Sequence, residues 1–218
     1  MTRSRPVCIV DYGAGNLRSV QKAFEHLGTE VTLVDTPARL AQADRLILPG
    51  VGAFPAGMQG LRERGLIEPI KQAARDGKPL IGICLGMQLL FESSDEMGET
   101  QGLSLLPGRV TKMRDARGTR QDAFHIPHSA LKIPHVGWNQ LDVVRHHPLL
   151  RDLVSGLHAY FVHSYAAYPD RRDIILATTD YGGPFASIVG QSNVCGLQFH
   201  PEKSQAVGLK LLRNFLEM

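Results

Sequence analysis

Short apolar runs alternate with amphipathic stretches along the first part of the chain. Four runs have the length and β-rich composition of strands: 6–13, 30–35, 45–50 and 79–84. Helical periodicity covers the stretches 16–27, 53–64, 66–75 and 85–92. This rhythm predicts a mostly parallel central sheet flanked by helices on both faces, with functional groups at the carboxyl ends of the strands.

After Gly108 the apolar segments become shorter and follow one another more directly. They lie at 108–113, 132–144, 158–165, 174–181 and 186–191, ahead of a strand over 194–199 and a closing helix over 204–218. This spacing predicts an antiparallel β extension of the α/β sheet. Because we find no linker, repeat or low-complexity tract, we predict a single domain over residues 1–218.

The segment LIGICLGMQLLFE, residues 80–92, carries the strongest chemical signal. A strand-like run reaches Cys84 and turns directly into a helical pattern, with Gly82 and Gly86 on either side of the cysteine. This arrangement is typical of a nucleophile elbow, with sulfur in place of a serine hydroxyl. The free N–H groups of the following helix favour a thiolate. We therefore predict that Cys84 is a catalytic nucleophile rather than a buried cysteine in an ordinary turn.

A base for this nucleophile lies near the C-terminus, in VCGLQFHPEK, residues 194–203. His200 stands at the end of a strand, where it can accept the thiol proton. Glu202, linked to it through the stiff Pro201, can orient the imidazole and stabilise the imidazolium. A solvated turn that opens the last helix would show the same local pattern. The pairing with Cys84 favours a Cys-His-Glu triad.

Acyl transfer also needs backbone N–H donors for the oxyanion, and the loop after the run RLILPG can supply them. Val51 and Gly52 in this loop, with Leu85 directly after the nucleophile, are the candidate donors. Gly52 can adopt backbone angles that other residues avoid, so the loop can switch its donors in or out. An ordinary Pro-Gly turn stays open as the alternative.

GICLGMQ, PGVG and FHPE together resemble the motifs of the class-I, triad-type glutamine amidotransferases. The ordered series DYGAGNLRSV, PGVGAF, GICLGMQLLFESS, KIPHVGWNQL, YFVHSY and FHPEKS is similar to the glutaminase subunits of imidazole glycerol phosphate synthases over nearly the whole chain. Met87 agrees with this, because many other amidotransferases of the class carry histidine there. The resemblance implies a flavodoxin-like fold and a hydrolase that releases ammonia from glutamine within a lyase complex. The insert 114–130 departs from the family, which is usually shorter there, and receives no inherited role.

The same resemblance implies a glutamine site and a partner surface. Residues implied to bind glutamine are Gly50, Gln88, Glu96, His163, Ser164 and Tyr165. The implied partner is a (β/α)8-barrel cyclase subunit, which receives the ammonia along a protected path and makes imidazole glycerol phosphate and aminoimidazole carboxamide ribonucleotide in histidine biosynthesis. Positions implied to face it are Asn16, Ser19, Lys22, Trp138 and Lys203. Without the resemblance, a lone tryptophan in a strand is more often part of the core.

Composition agrees with a cytoplasmic enzyme. The net charge of +3 is mild and its lysines and arginines are scattered, so nucleic acid is not a predicted partner. We find neither a membrane-length apolar run nor a signal-peptide pattern. An odd number of widely separated cysteines suggests a reducing compartment, with Cys8 and Cys195 as core residues. The histidines and cysteines show no HxxxH or CxxC spacing, so we expect neither a metal nor a cofactor.

Three alternatives stay open. In the first, the chain is the amidotransferase subunit of another synthase, such as one making anthranilate or pyridoxal phosphate, although HVGWN and Met87 argue against this. In the second, the chain is a stand-alone cysteine hydrolase that acts on γ-glutamyl peptides and needs no partner. The third is a non-catalytic interaction subunit, which the intact Cys84, His200 and Glu202 disfavour.

Overall fold

Strands and helices alternate through the first part of the computed structural model, which describes residues 6–114 and 131–218. In chain order these elements are β1 (Val7–Val10), α1 (Leu17–His26), β2 (Val31–Val34), α2 (Pro37–Ala41), β3 (Arg45–Gly50), α3 (Phe54–Glu63), α4 (Ile67–Arg75), β4 (Leu80–Cys84) and α5 (Leu85–Leu89). Every predicted strand and helix of this part is confirmed. The short helix α2 was not predicted; Pro37 stands in its first turn, where the fixed φ of proline suits a helix start.

The second part of the described chain is mainly β-structure. Its elements are β5 (Ser93–Ser94), β6 (Thr100–Gln101), β7 (Gly108–Lys112), β8 (His135–Val143), β9 (Leu157–His163), β10 (Tyr165–Pro169), β11 (Ile175–Asp180), β12 (Pro184–Gln191), β13 (Val194–Leu197) and α6 (Gln205–Leu216). Single turns of 3₁₀ helix cover Pro148–Leu150, Arg172–Ile174 and Pro201–Lys203. Residues 115–130 of the insert lie outside the described residues.

One large mixed sheet organises the described chain, in the order β2-β1-β3-β4-β13-β12-β11-β8-β9. The pairings from β2 to β13 are parallel, and those from β13 to β9 are antiparallel. The α/β fold class and the antiparallel extension are confirmed. The extension continues the parallel sheet, so the sheet as a whole is mixed rather than mostly parallel.

The chain changes sheets at Ser164. The sequence pattern predicts one segment over 158–165, but β9 ends at His163 and β10 begins at Tyr165 in a second sheet, of order β10-β7-β5-β6. The consecutive residues Ala166 and Ala167 are both buried, one in each of the two hydrophobic clusters. Buried and exposed side chains therefore do not alternate at this point, which shows that β10 lies between two packed layers. Residues 163–165 form the junction between the two sheets.

Helix α5 is shorter than its pattern predicts, ending at Leu89 rather than at residue 92. The following loop takes over its last carbonyl groups: Leu103 donates to Leu89 O at 2.9 Å and Leu105 donates to Leu90 O at 2.8 Å. Backbone bonds from another segment therefore replace the bonds that a longer helix would have made. Cys8 and Cys195 are buried in the two cores, as predicted. Burial raises the pKa of Cys195 to about 12.

None of the helices in the described ranges combines the length and the apolar character needed to cross a membrane.

Candidate active site

Cys84 occupies a strained turn at the carboxyl end of β4. Its backbone angles are φ 53° and ψ −110°, and an L-residue adopts a positive φ only at a cost. Strand β3 lies alongside in parallel register, so that Gly50 is the direct partner of Cys84. Strand β13 flanks β4 on the other side. The turn therefore presents the thiol at the edge of the sheet where the ends of three parallel strands meet.

The two glycines around the cysteine allow helix α5 to lie directly on the sheet. A Cβ atom on Gly86 would stand 1.6 Å from the carbonyl oxygen of Leu48 in β3. A Cβ atom on Gly82 would stand 2.6 Å from the carbonyl oxygen of Gly86. Backbone atoms cannot give way at such distances, so both positions require glycine. The predicted strand–turn–helix geometry around Cys84 is confirmed, and close packing is the reason for its two glycines.

His200 and Glu202 form a buried pair beyond the end of β13. His200 Nδ1 lies 2.8 Å from Glu202 Oε1, and the side chains are 1% and 0% exposed. Burial lowers the pKa of His200, but the neighbouring Cys84 and Glu202 side chains outweigh it and raise that pKa to about 9. The second ring nitrogen, Nε2, is buried and has no well-formed hydrogen bond to any described residue. The influence of Cys84 on this pKa indicates that the predicted nucleophile and base lie near each other.

Glu202 is held by a second residue that sequence reasoning assigned elsewhere. Asn16 Nδ2 donates to Glu202 Oε1 at 2.6 Å, from a left-handed residue with φ 74° just before α1. Burial raises the pKa of Glu202. The hydrogen bond and charge of His200 and the hydrogen bond from Asn16 lower this pKa by more, so the net shift is downward. The carboxylate is therefore kept ionised beside the imidazole.

Gln198 is a site residue that sequence reasoning missed. Its side chain is fully buried, and Nε2 lies 3.9 Å from Cys84 Sγ. The signal was available, since Gln198 is the polar residue of the apolar run VCGLQF and lies two positions before His200. Residues two apart in an extended chain point to the same side. Its amide supplies a donor to the sulfur.

The predicted oxyanion loop lies beside the nucleophile. Gly52 has φ 111°, which only glycine adopts without strain, and Val51 is 41% exposed. The start of the loop is anchored by Tyr12, whose hydroxyl donates to Pro49 O at 2.7 Å. Burial, followed by the nearby Cys84, raises the pKa of Tyr12, so this hydroxyl keeps its proton.

A cavity of about 380 Å³ opens over the thiol, a size suited to a small metabolite. Its lining includes the predicted residues Val51, Gly52, Cys84, Leu85, Gln88, Glu96, His163, Ser164 and Tyr165. Pro134 and Val162 complete the lining and were not predicted. Gly50 does not line it; a Cβ there would stand 2.1 Å from the Tyr12 hydroxyl oxygen, so Gly50 lies beneath the loop.

Comparison with known proteins agrees with this geometry. The model of the glutamine amidotransferase class-I family matches residues 8–218. The chain belongs to the class-I glutamine amidotransferase family. Among its relatives is the imidazole glycerol phosphate synthase subunit HisH of Syntrophotalea carbinolica, 49% identical over 97% of this chain and 100% of the relative. The protein of the same name from Salinibacter ruber is 50% identical over 95% of this chain and 92% of the relative.

Solved structures show the same amidotransferase fold. A structure described as a glutamine amidotransferase is 25% identical, with a TM-score of 0.69 over 96% of this chain and 97% of that one. PurLQS from Thermotoga maritima is 21% identical, with a TM-score of 0.71 over 98% of this chain and 99% of that one, and supports the fold alone.

Glu96 and Gln88 are predicted glutamine contacts of this amidotransferase whose side chains already make internal bonds. Glu96 Oε2 accepts the N–H of Phe54 at 2.8 Å, which leaves its second oxygen for a ligand. Gln88 Nε2 donates to Tyr165 O at 3.0 Å and to Gln198 Oε1 at 3.1 Å. The amide nitrogen of Gln88 is therefore committed to the protein, and its carbonyl oxygen is the group left for the cavity.

The positions predicted to face a partner lie around the predicted triad. Ser19, Lys22 and Lys203 are exposed, and Asn16 contacts the triad glutamate. Trp138 is 48% exposed, so the interpretation of this tryptophan as a core residue is wrong. It packs edge-on against Tyr160 at 6.1 Å, and Lys203 Nζ lies 5.7 Å from the centre of that ring.

Within residues 6–114 and 131–218, no cluster of histidine, cysteine, aspartate or glutamate side chains is arranged to hold a metal ion.

Proposed function

We propose that this chain is the glutaminase subunit of an imidazole glycerol phosphate synthase, acting in histidine biosynthesis. It hydrolyses glutamine to glutamate and ammonia and passes the ammonia to a cyclase subunit. The observation that carries the proposal is the strained Cys84 elbow interacting with the buried His200–Glu202 pair, in a chain about half identical to HisH subunits. The chemistry of this chain is hydrolysis, and the lyase chemistry of such a complex belongs to the cyclase.

In the first step the Cys84 thiolate attacks the side-chain amide carbon of glutamine, and the carbonyl oxygen becomes an oxyanion. Leu85 and the Val51–Gly52 loop supply backbone N–H groups to this oxygen. The imidazolium of His200 then protonates the amide nitrogen from Nε2, the C–N bond breaks, and ammonia leaves a γ-glutamyl thioester. A His200 pKa of about 9 suits this step, because the ring carries the needed proton at neutral pH.

In the second step water hydrolyses the thioester. His200, now neutral, takes a proton from the water as it attacks the thioester carbon, and the Cys84 thiolate departs as glutamate forms. Glu202 stabilises the imidazolium and keeps its Nδ1 proton directed away from the substrate. Gln198 donates to the sulfur in the resting site and can stabilise it whenever it carries charge.

The partner surface is the exposed side of the hairpin formed by β8 and β9. Val136 pairs with Val162, and Trp138 pairs with Tyr160, so these four side chains share one face. Val136 is 56% exposed and Trp138 48% exposed, which is unusual for neighbouring large apolar residues on one strand. Val162 also lines the cavity over Cys84, so a partner on this face would close one side of the cavity. By resemblance the partner is a (β/α)8-barrel cyclase.

The deciding experiment is a steady-state glutaminase assay with and without the cyclase and its ribonucleotide. An enzyme that hydrolysed glutamine freely would waste it, so the Gly50–Gly52 loop should complete the oxyanion donors only in the active complex. One such donor is worth about 10²–10³ in rate, so glutamate release should rise by a comparable factor. Full activity of the isolated chain would contradict the proposal and favour a stand-alone γ-glutamyl hydrolase.

Two further measurements separate the remaining alternatives. Co-purification with the cyclase distinguishes this chain from the amidotransferase of another synthase. Covalent labelling of Cys84 by a glutamine-like electrophile excludes a non-catalytic subunit, and Cys84→Ala is the matched control for that label.

A further inference from the structure

Two histidines face each other on the buried side of the β8–β9 hairpin. His135 Nδ1 lies 3.1 Å from His163 Nε2, and the residues are 2% and 6% exposed. His135 does not line the cavity over Cys84, and no step of the hydrolysis uses it. A buried polar ring without a chemical role requires another explanation.

The direction of the bond between the two rings is fixed from the His163 end. His163 Nδ1 lies 2.9 Å from the carbonyl oxygen of Tyr165, which can only accept. The proton of a neutral His163 is therefore on Nδ1, and its Nε2 must accept. It follows that His135 donates from Nδ1 and that the Nε2 atom of His135 is an acceptor.

The same direction follows independently from the other end, at Asn139. Its Oδ1 accepts the N–H of Gln140 at 2.8 Å, and its Nδ2 donates to Asp180 O at 3.0 Å. These two bonds determine which way round the amide lies. Nδ2 of Asn139 is also 3.3 Å from His135 Nε2, so this nitrogen of His135 must accept. Both ends require the same tautomer of His135.

The chain of bonds continues from Tyr165 into the active site. The Tyr165 carbonyl also accepts from Gln88 Nε2 at 3.0 Å, and the same nitrogen donates to Gln198 Oε1 at 3.1 Å. Gln198 must then turn its own nitrogen toward Cys84 Sγ, 3.9 Å away. The Tyr165 carbonyl, which accepts from both His163 and Gln88, thus connects the histidine pair to the Gln198 amide beside the nucleophile.

Packing keeps both rings in place and neutral. His135 is stacked between Tyr181 and Phe161, with ring centres 3.9 Å and 4.8 Å away. Burial lowers the pKa of His135 to about 4 and that of His163 to about 3. The direction of the bonds is therefore stable throughout the neutral range.

We propose that His135 is a positioning residue for glutamine hydrolysis, which acts through His163 to hold the Tyr165 carbonyl where Gln88 and Gln198 are aligned with Cys84. The proposal rests on the proposed glutaminase function. It assigns a role in the reaction to a side chain that touches neither substrate nor nucleophile.

The test compares His135→Phe, His135→Asn and Tyr181→Phe in the complex with the cyclase. Phenylalanine keeps the stacked ring but leaves His163 Nε2 without its donor. Asparagine places an amide donor near the position of Nδ1. Tyr181→Phe keeps the ring that stacks on His135 and loses only the hydroxyl bond to Lys132 O, so it controls for disturbance of the stack.

We expect His135→Phe to lower kcat/KM for glutamine on the order of 10-fold, because His163 Nε2 loses its donor and the Tyr165 carbonyl loses its fixed position. His135→Asn should recover most of this loss, and Tyr181→Phe should stay near wild type. Ammonia-dependent synthesis should be unchanged in all three, because it bypasses the glutamine site. Equal values of kcat/KM for His135→Phe and Tyr181→Phe would overturn the proposal and reduce His135 to a packing residue.

The ring tautomers give a second test that needs no variant to fold. Nitrogen NMR of the wild-type chain should show both His135 and His163 protonated at Nδ1, whereas histidine in water prefers the Nε2 tautomer. An Nε2 proton on either ring would overturn the proposal. Wild-type protein that neither hydrolyses glutamine nor labels at Cys84 would instead contradict the proposed function, while the tautomer result would stand by itself.

Discussion

Asn16 Nδ2 lies 2.6 Å from Glu202 Oε1, the same oxygen that faces His200 Nδ1 at 2.8 Å. This contact joins the start of α1, which carries the exposed Ser19 and Lys22, to the carboxylate of the proposed triad. Glu202 Oε2 is buried and has no hydrogen-bond partner among the described residues. The bonding of the triad carboxylate therefore depends on how the start of α1 is placed.

Asn16→Ala should lower the glutaminase rate although Asn16 does not line the cavity. A hydrogen bond to a charged group contributes about 1.5–3 kcal/mol, and its loss should raise the pKa of Glu202 and weaken the imidazolium. We expect a drop in kcat on the order of 10-fold, measured in the complex at saturating glutamine. Glu25→Ala, an exposed position on the same helix outside the predicted partner surface, is the control. Equal activities of the two variants would show that the bond has no part in the reaction.

Cys84→Ala and Cys84→Ser should abolish glutamine-dependent synthesis. Ammonia-dependent synthesis by the same complexes should stay nearly intact, because only the generation of ammonia passes through the thioester. Parallel assays with glutamine and with ammonium salt measure both. Glutaminase activity of either variant close to wild type would exclude Cys84 as the nucleophile.

His200→Ala should reduce the glutaminase rate by about 10²–10⁴, the usual contribution of a general acid–base group. Glu202→Gln should reduce the rate by less, because Glu202 orients the His200 ring and stabilises the imidazolium without touching the transferred proton. Single-turnover rates of both variants at saturating glutamine test this order. If both retained wild-type rates, HPE would only be a turn that opens the last helix.

The His200–Glu202 pair should also stabilise the fold over a defined pH range. The folded pKa of His200 is raised from 6.5 to about 9, so its contribution is complete below 6.5 and is lost as pH rises through about 9. The pKa of Glu202 is lowered, so its contribution is present above 4.5 and is lost as pH falls through the depressed value. Denaturant unfolding should therefore show Glu202→Gln least stable relative to wild type between pH 4.5 and pH 6.5, where both contributions are complete. A difference independent of pH would contradict the charged pair.

Gly86→Ala should destabilise the protein by about 3 kcal/mol or more, because overpacking against backbone cannot be relieved by a side-chain rotation. The added Cβ would lie 1.6 Å from Leu48 O. Gly57→Ala in α3 is the matched control, since its Cβ would meet only the flexible side-chain ends of Leu89 at 3.1 Å and Leu85 at 3.3 Å. Denaturant midpoints decide the comparison. Similar midpoints for the two variants would mean that α5 can move off the sheet.

Trp138→Ala should weaken binding of the cyclase by about 2 kcal/mol or more, as expected for a large aromatic residue at the centre of an interface. Folding stability should change little, because the side chain is 48% exposed. Val154→Ala, at a 66% exposed residue in the connection between β8 and β9, is the control. Titration of labelled cyclase measures both affinities. An unchanged affinity for Trp138→Ala would remove this face as the docking surface.

Local sequence was sufficient for the longer elements, but not for α2, β5 and β6, and it was sufficient for proposing both halves of the triad. An elbow is a strand, a glycine-flanked residue and a helix in immediate succession, so Cys84 could be recognised within residues 80–92. His200 and Glu202 are likewise two positions apart, and their 2.8 Å bond is a local contact. The Gly50–Gly52 loop was placed correctly beside Cys84, because neighbouring parallel strands end at the same edge of a sheet.

Tertiary structure alone decided the contacts that surround the triad. Gln198 reaches the sulfur because β13 lies beside β4, and Asn16 reaches Glu202 across most of the length of the chain. The break at Ser164 arises because Ala166 and Ala167 pack into different layers, which a pattern of apolar letters does not distinguish. The sequence by itself determined which residues can carry the chemistry, since that depends on residue type and local geometry. Only the folded sheet determined which polar groups hold them, since hydrogen bonds between distant segments depend on strand order and register.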